Sequence, residues 1–185
     1  MAKATSKTRC SWAESHELLA EYHDLEWGVP VHDDRHLFEM LNLEGAQAGL
    51  SWLTVLKKRE AYRKAFYNFD AEKILKKTPG EKAKLMKNAG IVRNRLKINA
   101  VIENAKAYLE VQKEFKSFDA YLWQFVGKPL RHHEQKKATM AAEAMSKDLK
   151  KRGFRFVGST ICFAFMQGVG MINDHSPQCF KSRRS

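Results

Sequence analysis

The sequence has no long apolar run, and it contains few cysteines. None of its hydrophobic stretches approaches the roughly 20 residues that a membrane-spanning helix needs. The first ten residues, MAKATSKTRC, are basic but lack the apolar core of a secretory signal, so a cytoplasmic protein is expected. Three cysteines are too few for a disulfide scaffold, which leaves metal binding or simple burial as their uses.

Alternation of apolar and polar residues with period two, the pattern of a half-buried strand, is also missing. Apolar residues instead recur at threes and fours, which predicts an all-α protein. We expect one domain of two helical lobes over 9–180, with flexible tails at 1–8 and 181–185. The predicted helices cover approximately residues 14–24, 35–43, 48–66, 71–77, 80–88, 91–113, 117–126, 138–151 and 159–171.

Two connecting segments have their own predictions. The short FRFV run at 154–157 lies between glycines and is predicted to be a turn. The polar segment 126–140 is predicted to be a long surface loop in which His132 and His133 are solvated.

Positive charge is what the chain has in excess. It carries 33 Lys and Arg against 21 Asp and Glu, which gives a net charge of +12 and a pI near 9.7. Since 44% of its residues are hydrophobic, the chain can also bury a sizeable core. A folded protein this basic attracts polyanions, nucleic acid first among them, although a solvated lysine coat is the alternative explanation.

One carboxylate lies where a helix should present a hydrocarbon. In LFEMLNLEGAQAGLSW, Leu37, Met40 and Leu41 have the i, i+3, i+4 spacing of a core-facing helix. The next position on that face is Glu44. If the helix passes through the two glycines of this stretch, Trp52 lies on the same stripe.

Four aromatic residues cluster in the segments near this carboxylate: Trp12, Tyr22, Trp27 and Trp52. Aromatic side chains usually belong to a core, and that explanation is available for each of them. An aromatic wall beside an inward-facing carboxylate is, however, also how a protein holds an extruded nucleic-acid base.

Two thiols and two imidazoles have the composition of a tetrahedral zinc site. Cys10 precedes His23 by thirteen positions, and His175 precedes Cys179 by four. One pair lies at each end of the chain, so closing the site would join the termini across more than 150 residues and gain on the order of a few kcal/mol. The alternative is two unrelated cysteines and surface histidines. Cys162, inside ICFAF, is expected to be core.

The stretch KKRGFRFVGST, at 150–160, has the composition of a phosphate cradle. Its glycines allow close backbone approach, and a helix N-terminus offers free N–H groups, as in one hairpin of a helix–hairpin–helix element. Both glycines could equally be ordinary helix caps. The candidate phosphate contacts are Arg152, Gly153, Arg155, Gly158, Ser159 and Thr160.

The chain resembles the bacterial 3-methyladenine DNA glycosylase I family over most of its length. The blocks that carry the resemblance, in order, are RCSW, YHDLEWGVP, LFEMLNLEGAQAGLSWLTVLKKREAYRKAF, AGIVRNRLKI and KKRGFRFVGSTICFAFMQGVGMINDH. The resemblance implies a helix–hairpin–helix glycosylase fold whose termini are joined by one structural Zn²⁺. The implied zinc ligands are Cys10, His23, His175 and Cys179.

The resemblance also implies roles for the pocket residues. Glu44 receives the damaged base, Tyr22 helps to hold it and Trp52 stacks on it, while Trp12 and Trp27 enclose it. A second set, Gly49 and Leu50, matches the wedge that fills the gap left by the flipped nucleotide, with plain core packing as the alternative for Leu50.

The implied reaction is monofunctional hydrolysis of the N-glycosidic bond of 3-methyladenine in alkylated double-stranded DNA, which releases the free base. A monomer is expected. Asp174 lies near the place of a functional aspartate in the wider superfamily, but the family is regarded as lacking that function, so a structural part such as orienting a metal ligand is expected. The alternatives are a zinc-stapled DNA-binding module without catalysis and a relative that acts on 3-methylguanine.

Overall fold

A computed structural model of the protein describes residues 7–182, and within them the fold is mostly helical, as predicted. No helix in this range is long and apolar enough to cross a bilayer. The described part of the chain contains ten α-helices: α1 Glu17–Leu25, α2 Asp34–Gln47, α3 Trp52–Leu56, α4 Arg59–Ala65, α5 Ala71–Leu75, α6 Pro79–Leu85, α7 Arg95–Phe115, α8 Phe118–Trp123, α9 Gln135–Lys151 and α10 Ser159–Gly168. Short 3₁₀ helices cover Ser11–Ser15, Tyr67–Phe69 and His132–Glu134.

Helix α2 runs through the centre of the protein. Asp33 caps it by accepting the backbone N–H of His36 at 2.8 Å, and the helix is buried from 37 to 46. The sequence prediction ended this helix at residue 43, but it continues through Gly45. Burying each large side chain contributes about 1.5–3 kcal/mol, which exceeds the cost of about 1 kcal/mol for a helical glycine. A Cβ on Gly45 would also lie only 3.0 Å from that of Phe156.

The helix predicted over 48–66 is wrong as a single element. Gly49 has φ +75°, a left-handed conformation that ends α2, and Ser51 then caps α3 by accepting the N–H of Thr54 at 3.2 Å. Trp52 therefore begins a new helix and does not continue the face of α2 that carries Glu44.

Helices α9 and α10 form a tight hairpin. Gly153 has φ +92° and ends α9 in a Schellman motif, in which its N–H donates to Lys150 O and that of Phe154 donates to Leu149 O, both at 3.0 Å. Residues 154–157 then form an irregular turn, as predicted, and α10 begins after Gly158. This hairpin packs against α2 at Gly45.

The segment 126–140 is more structured than the predicted surface loop. Strand β1, Leu130–Arg131, pairs in parallel with β2, Ile172–Asn173, and α9 already begins at Gln135. Ala138 is fully buried, so one face of this polar stretch supports a helix. The short pairing holds the segment before α9 beside the one that leads to His175.

The two ends of the described chain lie together. The N–H of Phe180 donates to Thr8 O at 2.9 Å, and Lys181 Nζ donates to Asp24 O at 2.8 Å. The predicted tails lie largely outside the described residues, at 1–6 and 183–185. Their flexibility and the division into two lobes stay predictions.

Candidate active site

A cavity of about 600 Å³ opens between the N-terminal segment, α2 and α10. We call it the aromatic pocket. Its lining residues are Cys10, Ser11, Trp12, Tyr22, Trp27, Glu44, Gln47, Trp52, His132, Ala164, Gln167, Asp174, Ser176 and Pro177. All five residues proposed from the sequence to contact a base are therefore brought to one cavity.

Glu44 supplies a buried acid to this pocket. It is 5% exposed, and it makes no hydrogen bond or ion pair with any residue in 7–182. Burial raises the pKa of its carboxyl group from near 4.5 to about 8. The carboxylate that the helical spacing predicts on a core-facing position is thus buried there, and residues 7–182 supply no partner for it.

The aromatic rings form the walls. The Trp12 ring lies 5.1 Å from that of Trp27 at an edge-on angle of 78°, and the Tyr22 ring lies 5.3 Å from that of Trp52. Trp12 is 36% exposed and Tyr22 only 3%, so the pocket has an open side and a closed end. Burial, and then the nearby Glu44 carboxylate, raise the pKa of the Tyr22 hydroxyl well above its usual value.

Gly168 leaves room at the closed end. A Cβ on this residue would lie 3.0 Å from the Tyr22 hydroxyl oxygen, 3.3 Å from Met40 Cε and 3.6 Å from Glu44 Oε1. The hydroxyl of Tyr22 and the carboxyl of Glu44 therefore reach the same small region. A planar ligand between aromatic walls could meet both polar groups there.

A second cluster of chemistry-bearing residues joins the ends of the chain. The ligand atoms of Cys10, His23 and Cys179 all lie within 4.8 Å of one another, and all three residues are buried. His175 lies beside them, with its ring centroid 5.0 Å from that of His23. We call these four residues the terminal cluster.

The histidines of the terminal cluster are oriented by neighbouring side chains. His23 Nδ1 lies 2.9 Å from Asp24 Oδ1, and Arg9 pairs with the same carboxylate through two hydrogen bonds of 2.9 and 2.8 Å. The Arg9 hydrogen bond is the largest of the effects that lower the pKa of Asp24 to about 2. An Nδ1–H held in this way puts the lone pair of His23 on Nε2, which lies 3.4 Å from the sulfur of Cys179 and accepts a long hydrogen bond from the Cys10 backbone N–H, also at 3.4 Å.

His175 has one buried nitrogen without a hydrogen-bond partner. Its Nδ1 lies 2.9 Å from Asn173 Oδ1, while Nε2 is buried and unpaired. Burial is the largest of the effects that lower the pKa of His175 to about 4, so its imidazole is neutral and Nε2 can donate a lone pair. Two thiols and two such imidazoles suit the ligand preference of Zn²⁺.

Known proteins resemble this chain in both sequence and fold. A family model described as methyladenine glycosylase matches residues 12–182. The chain belongs to this family. It is 48% identical over 177 residues to the DNA-3-methyladenine glycosylase 1 of Escherichia coli, covering 92% of this chain and 95% of that protein.

Solved structures of the methyladenine glycosylase family also match in fold. A crystal structure of 3-methyladenine DNA glycosylase I is 49% identical, with a TM-score of 0.87, and the match covers 94% of this chain and 98% of that one. A Staphylococcus aureus structure that describes 3-methyladenine recognition is 37% identical, with a TM-score of 0.88 and coverage of 96% and 97%. The helical fold is therefore that of the family.

The proposed wedge lies at a smaller cavity beside the aromatic pocket. This cavity, of about 210 Å³, is lined by Glu44, Gly49, Leu50 and Thr160 among others. Leu50 is 41% exposed, so core packing does not account for it. The wedge and the first turn of α10 thus flank the carboxylate.

The predicted phosphate contacts differ in their exposure and in whether their side chains already pair with a carboxylate. Ser159 and Thr160 are exposed at the start of α10, where backbone N–H groups have no helical acceptor. Arg155 is 66% exposed in its side chain and pairs with Glu103. Arg152 instead pairs with Glu114 and Asp148, and a phosphate would have to compete with both carboxylates.

Sequence reasoning missed part of the pocket lining. His132 is exposed, as predicted, but it also lines the pocket, and its Nδ1 lies within hydrogen-bond distance of Asp174 Oδ1. Asp174 also accepts the side-chain N–H groups of Gln135 and Gln167, each at 2.6 Å. Its hydrogen-bond partners are thus not His23 or His175, and the carboxylate that orients His23 is Asp24. No spacing in the sequence joins residues 132 and 174, because the parallel β1–β2 pairing brings them together.

Proposed function

We propose that this chain is a DNA-3-methyladenine glycosylase of base-excision repair, which hydrolyses the bond between 3-methyladenine and its deoxyribose in alkylated double-stranded DNA. The observation that supports this most is the unpartnered Glu44 carboxyl at the closed end of the aromatic pocket. A buried acid without a partner destabilises the folded state, and this cost is explained if a ligand supplies the missing partner.

The pocket favours an alkylated base over an ordinary one. N3-methylation leaves adenine cationic in the nucleotide, and a cation is attracted both to aromatic faces and to a carboxylate. Trp52 would stack on the flipped base, Trp12 and Trp27 would enclose it, and Tyr22 and Glu44 would bind its polar edge. Neutral adenine would gain much less from the same walls.

The reaction needs little from the protein. The bond from the base nitrogen to C1′ of the sugar breaks with its electron pair on the base, which neutralises the cationic base, so no general acid is required. A bound cationic base favours the ionised form of Glu44 and so lowers its pKa, and the resulting carboxylate stabilises the positive charge that develops on the sugar. Water then bonds to C1′ and loses a proton. We propose a monofunctional enzyme that releases free 3-methyladenine and leaves an abasic site.

Access to the base requires a deformed duplex. Gly49 and Leu50 would fill the gap left by the flipped nucleotide, and the N-terminus of α10 would bind a backbone phosphate. The net charge of +12 supplies the sequence-independent attraction. We propose that Arg155, Gly158, Ser159 and Thr160 contact phosphate. Gly153 and Arg152 would support this contact through the hairpin's shape.

We also propose that the terminal cluster holds one structural Zn²⁺. Cys10, His23, His175 and Cys179 would bind it through two sulfurs and two Nε2 atoms, and His175 Nε2 would gain the partner it lacks. Four protein ligands leave no position for water, so the ion would join the termini and take no part in catalysis. We further propose that the protein acts as a cytoplasmic monomer.

A non-catalytic, zinc-stapled DNA-binding module is the alternative from another functional class. The net positive charge, the α9–α10 hairpin and the terminal cluster are compatible with either function. A protein that grips only the DNA backbone has no use for a buried acid between four aromatic rings, and this favours the enzyme.

The test is release of free base from methylated duplex DNA, resolved by chromatography. Wild type should release 3-methyladenine, and Glu44→Ala should release it at least about a hundredfold more slowly. Glu39→Ala is a matched control, because Glu39 is a buried acid on the same helix but pairs with Arg63 at 2.8 Å. Binding of methylated DNA by wild type without any base release would establish the binding module instead.

A further inference from the structure

The pair formed by His132 and Asp174 lies at the open side of the aromatic pocket, and the mechanism above leaves it unused. Both residues line the same cavity as Glu44. The His132 side chain is 51% exposed, whereas Glu44 is 5% exposed. The Asp174 side chain is 19% exposed, so within the pair His132 is the group nearer to solvent and Glu44 is the more deeply buried acid.

We expect the sugar of a flipped nucleotide to lie on the solvent-exposed side of the pocket, as His132 does. A flipped base enters through the open side and occupies the closed end, while its deoxyribose stays attached to the DNA outside. The sugar carbon that water attacks must therefore lie near the opening. Among the pocket residues proposed from the sequence, none is a base at this place.

The hydrogen bonds of Asp174 set the orientation of His132. The three donors to this carboxylate are His132 Nδ1 and the side-chain amides of Gln135 and Gln167. With Nδ1–H directed to the carboxylate, the lone pair of a neutral imidazole is on Nε2. Within residues 7–182 this Nε2 makes no hydrogen bond. Such a carboxylate–imidazole pair is the arrangement by which a histidine accepts a proton from a nucleophile.

We propose that His132 is a catalytic residue that binds the attacking water through Nε2 and accepts its proton, and that Asp174 is its positioning residue. This inference rests on the proposed function. As the C1′–nitrogen bond breaks and the base leaves neutral, the water oxygen bonds to C1′ and its proton moves to Nε2. His132 then gives that proton to solvent.

The experiment measures single-turnover release of 3-methyladenine from methylated duplex DNA, together with the affinities for that DNA and for free 3-methyladenine. His132→Ala should slow release about a hundredfold with both affinities within about twofold of wild type. Added imidazole should restore part of the lost rate. The adjacent His133→Ala is the matched control, since His133 does not line the pocket, and it should change the rate by less than about twofold.

Asp174 is tested through its dependence on His132. Asp174→Asn should slow release, and in the His132→Ala background it should add no further loss. Zinc content is measured alongside, because Asp174 adjoins His175. Losses that multiply would show that Asp174 acts on its own.

Different outcomes separate this inference from the proposed function. If wild type releases no base, both are overturned. If His132→Ala releases base at the wild-type rate, only the role of His132 is overturned. A slower rate matched by an equal loss of DNA affinity, without rescue by imidazole, would make His132 a contact to the DNA backbone and would also overturn its role as a base.

Discussion

Within residues 7–182, the aromatic pocket and the terminal cluster each bury a polar atom that has no hydrogen-bond partner, Trp52 Nε1 and His175 Nε2, but the titratable groups of the two regions have different surroundings. In the terminal cluster, Asp24 orients His23 and Asn173 orients His175, so both imidazoles present Nε2 in fixed directions. In the pocket, nothing within residues 7–182 hydrogen-bonds to the carboxyl of Glu44. A second layer of polar partners is typical of a resident metal, which needs fixed ligand geometry throughout the life of the protein.

The absence of such a layer around Glu44 suits a ligand that comes and goes. A carboxylate that already accepts hydrogen bonds from the protein would bind a base only weakly. An arginine paired with it would repel a cationic lesion. This contrast supports both proposals: a structural metal that stays in the terminal cluster, and a base that occupies the aromatic pocket only transiently.

Removal of two thiols from the terminal cluster should have the largest effect. Cys10→Ser combined with Cys179→Ser should reduce zinc from about one per chain to near zero. Losing a link across most of the chain should cost about 4–5 kcal/mol, which lowers the melting temperature by on the order of 10 °C. Metal analysis and thermal unfolding measure both quantities.

Cys162→Ser provides the matched control for that experiment. Cys162 is equally buried but lies on α10, outside the terminal cluster, and its thiol points to Val157 O. This variant should keep its zinc even if its stability falls. A double variant that still held about one zinc per chain would remove Cys10 and Cys179 from the ligand set.

Neutralising the pocket acid should have the next largest effect, and its sign depends on pH. The fold holds the proton of Glu44 up to about pH 8, whereas the unfolded chain releases it near 4.5. Between those values the folded state binds more protons, so the free energy of unfolding falls as pH rises. Glu44→Gln should abolish this loss and be more stable than wild type above pH 8 by roughly a few kcal/mol.

Glu39→Gln shows whether that gain is specific to an unpartnered acid. Glu39 is also buried on α2, but it pairs with Arg63, so its neutralisation should destabilise the fold. The measurement is the free energy of unfolding by denaturant for both variants and wild type across the pH range. A Glu44→Gln curve parallel to that of wild type would mean that the protein satisfies this carboxyl after all.

These contrasts could be predicted only in part from the sequence. The i, i+3, i+4, i+7 spacing correctly placed Glu44 on a buried face, because side-chain direction in a helix follows directly from sequence position. Spacing also showed that Cys10, His23, His175 and Cys179 could form a tetrahedral set. It could not show that the chain ends meet, because that depends on packing between segments far apart in sequence.

The side chains that orient these histidines could not be predicted from the sequence for the same reason. Asp24 is adjacent to His23, yet adjacency does not reveal that Arg9 fixes the carboxylate. His132 and Asp174 are joined only by the β1–β2 pairing, and two-residue strands leave no periodic signal. The prediction ended α2 at residue 43, before Gly45, because sequence spacing does not reveal that Phe156 approaches closely there and requires a residue without a side chain.

Adding a single methyl group at the closed end of the pocket should have the smallest effect of these changes and the one most specific to ligand binding. In Gly168→Ala, the new Cβ would press on the Tyr22 hydroxyl from 3.0 Å and lie 3.6 Å from Glu44 Oε1. Displacing these groups by a few tenths of an ångström should weaken 3-methyladenine binding about tenfold, or about 1.4 kcal/mol. Gly158→Ala is the control, because a Cβ there meets nothing within 4 Å. Since alanine favours the helix, unfolding of Gly168→Ala should show little loss of stability. Unchanged affinity in a base titration would mean that the ligand does not use both groups at this end.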